Sequence, residues 1–207
     1  MPDTALPTLE GRAIPAADDP YGLFATWFAE ATAAEINDPN AMTVATCTPA
    51  GIPSARIVLL KDYDPAGFVF YTNRDGRKGG ELIANPRAAL LFHWKTLQRQ
   101  VRIEGAVQPV TDAEADAYYA TRARISRLGA WASQQSRPLP SRSTLEDRVR
   151  TYEAQYPDED IPRPPHWSGF RVVPDSIEFW QDMPFRLHDR RVYTRAGEVW
   201  TQQALYP

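Results

Sequence analysis

The chain has one cysteine, three histidines, and only three lysines among its 23 basic residues. Each scarcity excludes something. Cys47 alone allows no internal disulfide framework, and a single thiol fits a reducing cytoplasm. It lies in an apolar run, residues 42–47, where a buried small hydrophobe is expected rather than a reactive thiol. His93, His166 and His188 stand far apart with no cysteine pair or acidic spacing around them, so no metal site is expected. The sequence contains no Gly-x-Ser-x-Gly elbow, Walker-type loop or Gly-x-Gly-x-x-Gly, which leaves common hydrolase and dinucleotide-fold readings without support. No run approaches the roughly 18 apolar residues of a membrane span. Residues 1–19, rich in Pro, Ala and Asp, lack the layout of a secretory signal and read as a flexible lead-in. A net charge of −3 lacks the basic excess of a nucleic-acid binder.

What is present is a chain of 207 residues, 43% hydrophobic and 24% charged, long enough for one domain with a real core. Tyr21, Leu23, Phe24, Trp27, Phe28 and Ala31 have helical spacing over residues 20–37. Short apolar runs follow at 42–48, 55–60, 68–72, 87–94 and 100–110, separated by turn residues, with 62–67 reading as a hairpin turn. Short helices are expected at 78–84, at 115–122 behind the capping box Thr111–Glu114, and at 147–155 behind a second box, Ser143–Glu146. After a proline-rich loop at 158–166, strands are expected at 169–173, 176–180, 191–194 and 198–204. Consecutive strands with tight connections favour an antiparallel barrel over a parallel sheet. The expected fold is α+β: residues 20–207 form a single domain around a mainly antiparallel barrel with flanking helices.

Three clusters could carry chemistry. Arg56 to Lys61, Tyr71-Thr72-Asn73 and Gly76-Arg77-Lys78 put cations and hydroxyls at element ends near a helix start, a plausible phosphate site or a solvated surface. Tyr118, Arg122 and Ser126 fall at i, i+4, i+8, one helical face that could grip a phosphate or merely face water. Arg186, His188 and Arg190 would share one face of a strand. They would repel one another unless an anionic or π-rich group lies between them, and a cationic edge strand is the competing reading.

Arg56-Ile-Val-Leu-Leu-Lys61, Phe70-Tyr-Thr-Asn73, Arg77-Lys78-Gly79, Arg99-Gln100-Val101, Gly129 to Ser136, Ile177-Glu-Phe-Trp180 and Arg186-Leu-His-Asp-Arg190 together resemble the pyridoxamine 5'-phosphate oxidases. The blocks run in order from about Asp38 to the C-terminus. The resemblance implies an FMN-binding split β-barrel homodimer, with a flavin in each of two clefts at the subunit interface. It implies FMN contacts at Arg56, Ile57, Val58, Leu59, Lys61, Tyr71, Thr72, Arg77, Lys78, Gln100, Gln135, Ser136, Trp180 and Arg190, some serving the flavin held mainly by the other subunit. Substrate contacts would be Lys61, Tyr118, Arg122, Ser126, Arg186 and His188, with Arg186 and His188 placing the reacting carbon. The implied reaction is oxidation of pyridoxamine or pyridoxine 5'-phosphate to pyridoxal 5'-phosphate, with O2 as acceptor giving H2O2.

Three departures stand out. Gln181-Asp-Met-Pro-Phe185 replaces a stretch that in the family is usually small and glycine-containing. Gly76 stands where a serine is common, and Ala204 replaces a frequent arginine. The competing readings are a related flavin oxidase acting on another ring, a non-catalytic flavin or pyridoxal phosphate binder on the same barrel, and a structural module.

Overall fold

The computed structural model describes residues 13–207. The chain runs α1 (Pro20–Ala34), β1 (Ala41–Cys47), β2 (Pro53–Leu59), β3 (Asp62–Asp64), β4 (Gly67–Asn73), α2 (Arg77–Ala84), β5 (Arg87–Trp94) and β6 (Arg99–Pro109). Three helices follow, α3 (Asp112–Ala120), α4 (Arg124–Ala132) and α5 (Arg142–Gln155). Then come β7 (Trp167–Gln181), a 3-10 turn (Pro184–Arg186), β8 (Asp189–Ala196) and β9 (Val199–Ala204).

Every strand pairing is antiparallel, in the order β2-β1-β5-β6-β7-β4-β3, with β8 and β9 continuing from β7. The sheet curls into a half-barrel around α1. Asp19 caps that helix, accepting from the N–H groups of Tyr21 and Gly22, and Pro20 fits the first turn, where no N–H is needed. Phe24, fully buried, meets Phe68 and Tyr63 at 4.9 Å and Phe92 at 5.3 Å between ring centroids. Edge-on aromatic packing of this kind adds specificity to the area it buries.

Strand β7 is the spine. Its first half pairs with β4, its second half with β8, and nearly all of it with β6 on the other edge. The expected break between residues 173 and 176 is therefore a bulge within one strand. The register of β6 and β7 slips between Glu104 and Gly105, and the extra residue, Asp175, is absorbed there. Gly105 permits it, since a Cβ at that position would lie 2.0 Å from the Val173 carbonyl oxygen.

Helix α3 begins at Asp112 and α5 at Arg142, ahead of the expected 115 and 147. The capping box at Thr111 and Glu114 is present on α3, but α5 is capped by Ser141, which accepts from Thr144 N–H, two residues before the expected Ser143 box. Of the lead-in, residues 1–12 lie outside the described residues. The rest of it is tied to the barrel: Ile14 is buried and donates its N–H to Asp189, Pro15 O accepts from Arg191, and Ala17 O accepts from the Tyr193 hydroxyl. Flexibility does not describe residues 14–17, because a backbone held by hydrogen bonds and an apolar anchor is fixed.

Candidate active site

The sheet and the helical segment α3–α4 enclose a cleft of about 710 Å³. The ends of β2 and β4 bring Ile57, Val58, Leu59, Tyr71 and Thr72 to it, with Lys61 just beyond β2. Lys78 enters from the first turn of α2, and Gln135 from the loop after α4. Tyr118, Arg122 and Ser126 close the opposite side, yet not from one helix. Helix α3 stops at Ala120, Thr121 turns its hydroxyl back onto Tyr118 O at 2.8 Å, and α4 begins at Arg124. A threonine bonding its own backbone in this way competes with helix continuation. The break contradicts the single-face expectation but leaves all three side chains on the same cleft.

The electrostatics are one-sided. Lys61, Lys78 and Arg122 line the cleft, no carboxylate does, and none of the three has an ion-pair partner among the described residues. Lys78 Nζ donates to Thr72 Oγ1 at 2.8 Å and Gln135 Oε1 at 2.7 Å. Burial, with the neighbouring Arg56 charge, lowers its pKa from the ordinary lysine value. Arg122 is also lowered by burial, with Tyr118 and Tyr119 opposing, and its Nη1 is buried without a hydrogen-bond partner. Its guanidinium carbon lies 4.8 Å from the Trp167 ring centroid. Tyr71 stacks on Tyr118 at 4.2 Å and on Trp167 at 5.3 Å, forming a flat wall with Lys61 5.8 Å from the Tyr118 centroid. Unpaired, partly desolvated cations beside hydroxyls suit an anion, and the wall suits a planar ring. Asn73 also lines the cleft, beside Trp167, which was not singled out in the sequence and is brought here only by tertiary packing.

Arg56 and Arg77 lie off this lining. Both contact Glu81, a buried carboxylate on α2 that also accepts from Ser54 and Thr46. Burial alone would raise the Glu81 carboxyl, but hydrogen bonds from Ser54, Thr46 and Arg77 and the Arg77 charge hold it at about 2. Glu81 was not read from the sequence, and its spacing of four from Arg77 was the available signal. Gly76 precedes α2 without a side-chain cap, and a Cβ there would meet Gln135 Oε1 at 2.7 Å. The missing side chain is what lets Gln135 fold onto Lys78.

Gln100, Trp180 and Arg190 line a second cleft of about 310 Å³, which shares no lining residue with the first. They are cross-strand neighbours, Gln100 opposite Trp180 and Trp180 opposite Arg190. Direct register places such residues on one face of the sheet. Arg190 is paired with Glu178 at 2.8 Å.

The strand expected for Arg186, His188 and Arg190 is absent up to residue 188. Pro184 cannot donate to a ladder, Phe185 and Arg186 have φ of 59° and 65°, and β8 begins only at Asp189. Arg186 is exposed, while His188 packs on Trp180 with centroids 4.6 Å apart. Ser136, at φ 68° and exposed, lies outside both clefts.

Among the described residues no His, Cys, Asp and Glu cluster could hold a metal, and no helix is long and apolar enough to cross a membrane.

The family model for pyridoxamine 5'-phosphate oxidase matches residues 28–156, and that for the pyridoxine 5'-phosphate oxidase C-terminal dimerisation region matches residues 167–207. The chain is 63% identical over 194 residues to a pyridoxine/pyridoxamine 5'-phosphate oxidase of Rhodospirillum rubrum, covering 91% of this chain and 96% of that protein. It is 62% identical over 189 residues to the Gluconobacter oxydans protein of the same name, covering 91% and 94%. Among solved structures it resembles PhzG from Burkholderia lata, in complex with tetrahydrophenazine-1-carboxylic acid. That likeness has a TM-score of 0.87 and 31% identity, over 99% of this chain and 98% of PhzG. A pyridoxamine 5'-phosphate oxidase-related, FMN binding protein from Nostoc punctiforme shares the fold at TM-score 0.74 and 15% identity, over 93% and 100%. The antiparallel half-barrel, the ordered sequence blocks and the two matched regions agree: the chain belongs to the pyridoxamine 5'-phosphate oxidase family.

Proposed function

We propose that the protein oxidises pyridoxamine 5'-phosphate and pyridoxine 5'-phosphate to pyridoxal 5'-phosphate, with FMN as cofactor and O2 as electron acceptor. The observation that carries this reading is the cleft lined by Lys61, Lys78 and Arg122 with no carboxylate, walled by Tyr71, Tyr118 and Trp167. The residues fit phosphorylated, planar ligands. The orphaned Nη1 of Arg122 lacks an acceptor that a phosphate oxygen would supply, and Lys78 has only neutral partners.

Lys78, Thr72, Gln135 and the β2 backbone around Val58 would hold the FMN, with Arg56 and Arg77 adding positive charge from the flank. Gln100, Trp180 and Arg190 would serve the flavin of the partner subunit in a homodimer. Lys61, Tyr118, Arg122 and Ser126 would grip the substrate phosphate and so fix where its ring lies. Arg186 and His188 would orient the carbon that reacts. When bound, FMN supplies the chemistry by accepting a hydride from that carbon. The protein contributes position and charge.

The test is an anaerobic mix of FMN-loaded protein with pyridoxine 5'-phosphate, followed by air. Bleaching of the flavin and recovery of its colour with an aldehyde product is expected. A flavin that stays oxidised with both vitamin phosphates would overturn the substrate and move a related oxidase of another ring, or a binding protein, ahead.

A further inference from the structure

Three cations gather between β2 and the start of α2: Arg56, Arg77 and Lys78. Arg77 and Lys78 are consecutive residues, and the charge of Arg56 reaches Lys78, whose pKa is lowered by burial and then by that charge. Among the described residues Glu81 is the one carboxylate paired with Arg56 or Arg77. It is 6% exposed. A carboxylate so deeply buried is kept charged by its donors, and those donors run in a definite order.

Glu81 Oε2 accepts from the hydroxyls of Thr46 on β1 and Ser54 on β2, the latter at 2.5 Å. The same hydroxyls accept from Arg56, whose Nη1 lies 2.6 Å from Thr46 Oγ1 and whose Nη2 donates to Ser54 Oγ. Each hydroxyl gives its one proton to the carboxylate and offers a lone pair to the guanidinium. Glu81 thus fixes Arg56 through two hydroxyls as well as directly, at 3.4 Å. Arg77 is held differently. Its Nε donates to Glu81 Oε1 at 2.9 Å, while its terminal nitrogens have no partner among the described residues and its side chain is 58% exposed.

We propose that Glu81 is a positioning residue for the FMN phosphate: it fixes Arg56 through Thr46 and Ser54, and it holds Arg77 by Nε so that the terminal nitrogens are left to the phosphate. The proposal rests on the reading that FMN binds with its phosphate beside Lys78. A guanidinium held in this way still presents parallel donors that match two phosphate oxygens. Without the carboxylate the three cations would repel one another, and the exposed Arg77 would turn into water.

Two simpler roles make different predictions. If Glu81 merely stapled α2 to the sheet, its loss would weaken the binding of every flavin alike. If it were merely a countercharge, its loss would leave the cations less compensated, and FMN would bind more tightly. Positioning weakens FMN and spares riboflavin, which has the same ring and no phosphate.

Quenching of flavin fluorescence, titrated on the full chain stripped of flavin at neutral pH, reads both affinities. Glu81→Gln should lower FMN affinity roughly tenfold, the loss of a charge-assisted bond, and leave riboflavin affinity unchanged. Arg77→Lys makes the same point at an exposed site, where folding is not at stake. It keeps the charge, but one ammonium cannot serve Glu81 and the phosphate as a fork does, so FMN affinity should again fall while riboflavin affinity holds. Should Glu81→Gln not fold, Arg77→Lys decides. Tighter FMN binding by Glu81→Gln, an equal loss for both flavins, or unchanged FMN affinity in Arg77→Lys would overturn the proposal. A natural protein that does not prefer FMN to riboflavin would instead strike the cofactor reading, and the proposal would fall with it.

Discussion

Arg122 keeps a buried guanidinium nitrogen without an acceptor while its plane lies near Trp167. A buried donor left unmade costs about 1–3 kcal/mol, so the site gains when an anion supplies the missing acceptor. Arg122→Gln keeps most of the side-chain length and loses the charge. The KM for either vitamin phosphate should rise by the equivalent of about 1.5–3 kcal/mol, with FMN absorbance retained. Steady-state kinetics checks this, and an unchanged KM would remove Arg122 from the phosphate grip. Glu81 gives a second prediction. Its carboxyl ionises at about 2 in the folded chain against an ordinary 4.5, so its stabilisation is complete above about 4.5 and is lost as pH falls toward 2. Glu81→Gln should flatten part of the acid limb of stability in that window, measured by urea midpoints between pH 3 and 6. An acid limb identical to that of the natural chain would contradict the assignment. The two residues also differ in legibility. Arg122 could be read because cations and hydroxyls recur at helical spacing around it, while nothing local says that Glu81 turns inward among hydroxyls of β1 and β2.

At the scale of elements, most of the sheet was legible because period-two apolar runs between turn residues have few other structures open to them. Strand β5 falls on its expected residues, and β1, β2, β4 and β6 lie within a residue or two of theirs. The misses have different causes, and in one of them local punctuation was overruled by tertiary pairing. Pro174-Asp175 looked like a turn, yet β6 runs past it on one edge and converts it into a bulge. Thr121 to Ala123 contains neither proline nor glycine, so the break between α3 and α4 gave no signal. Pro184 was the one available warning against a strand through Arg186. The bulge makes its own prediction. With backbone 2.0 Å from a would-be Cβ, Gly105→Ala cannot be relieved by rotating a side chain. It should cost more than about 3 kcal/mol, a large value among single substitutions, or prevent folding altogether. Gly76→Ala meets only the side chain of Gln135, which can move, and should fold normally. Thermal melts of the two variants compare them directly, and equal stability would mean that the bulge is not rigid.

For the whole molecule, the residues assigned to one flavin line two clefts with no lining residue in common. Lys78, Gln135 and Thr72 belong to the first, Gln100, Trp180 and Arg190 to the second, and residues 167–207 match a dimerisation region. A twofold axis that set the first cleft of one protomer against the second of its partner would complete both sites at once, as isologous symmetry requires. This arrangement has a consequence that a site built within one chain lacks. Arg122→Ala alone and Arg190→Ala alone should each lower activity in every site of their own dimers. When the two variants are unfolded and refolded together, half of the dimers are mixed. In each mixed dimer one site collects both lesions and the other collects none. Activity should therefore recover to about a quarter of that of the natural protein, the expectation for random pairing about a twofold axis. No recovery on mixing, with mixed dimers verified by mass, would place Arg122 and Arg190 in the same site of the same chain.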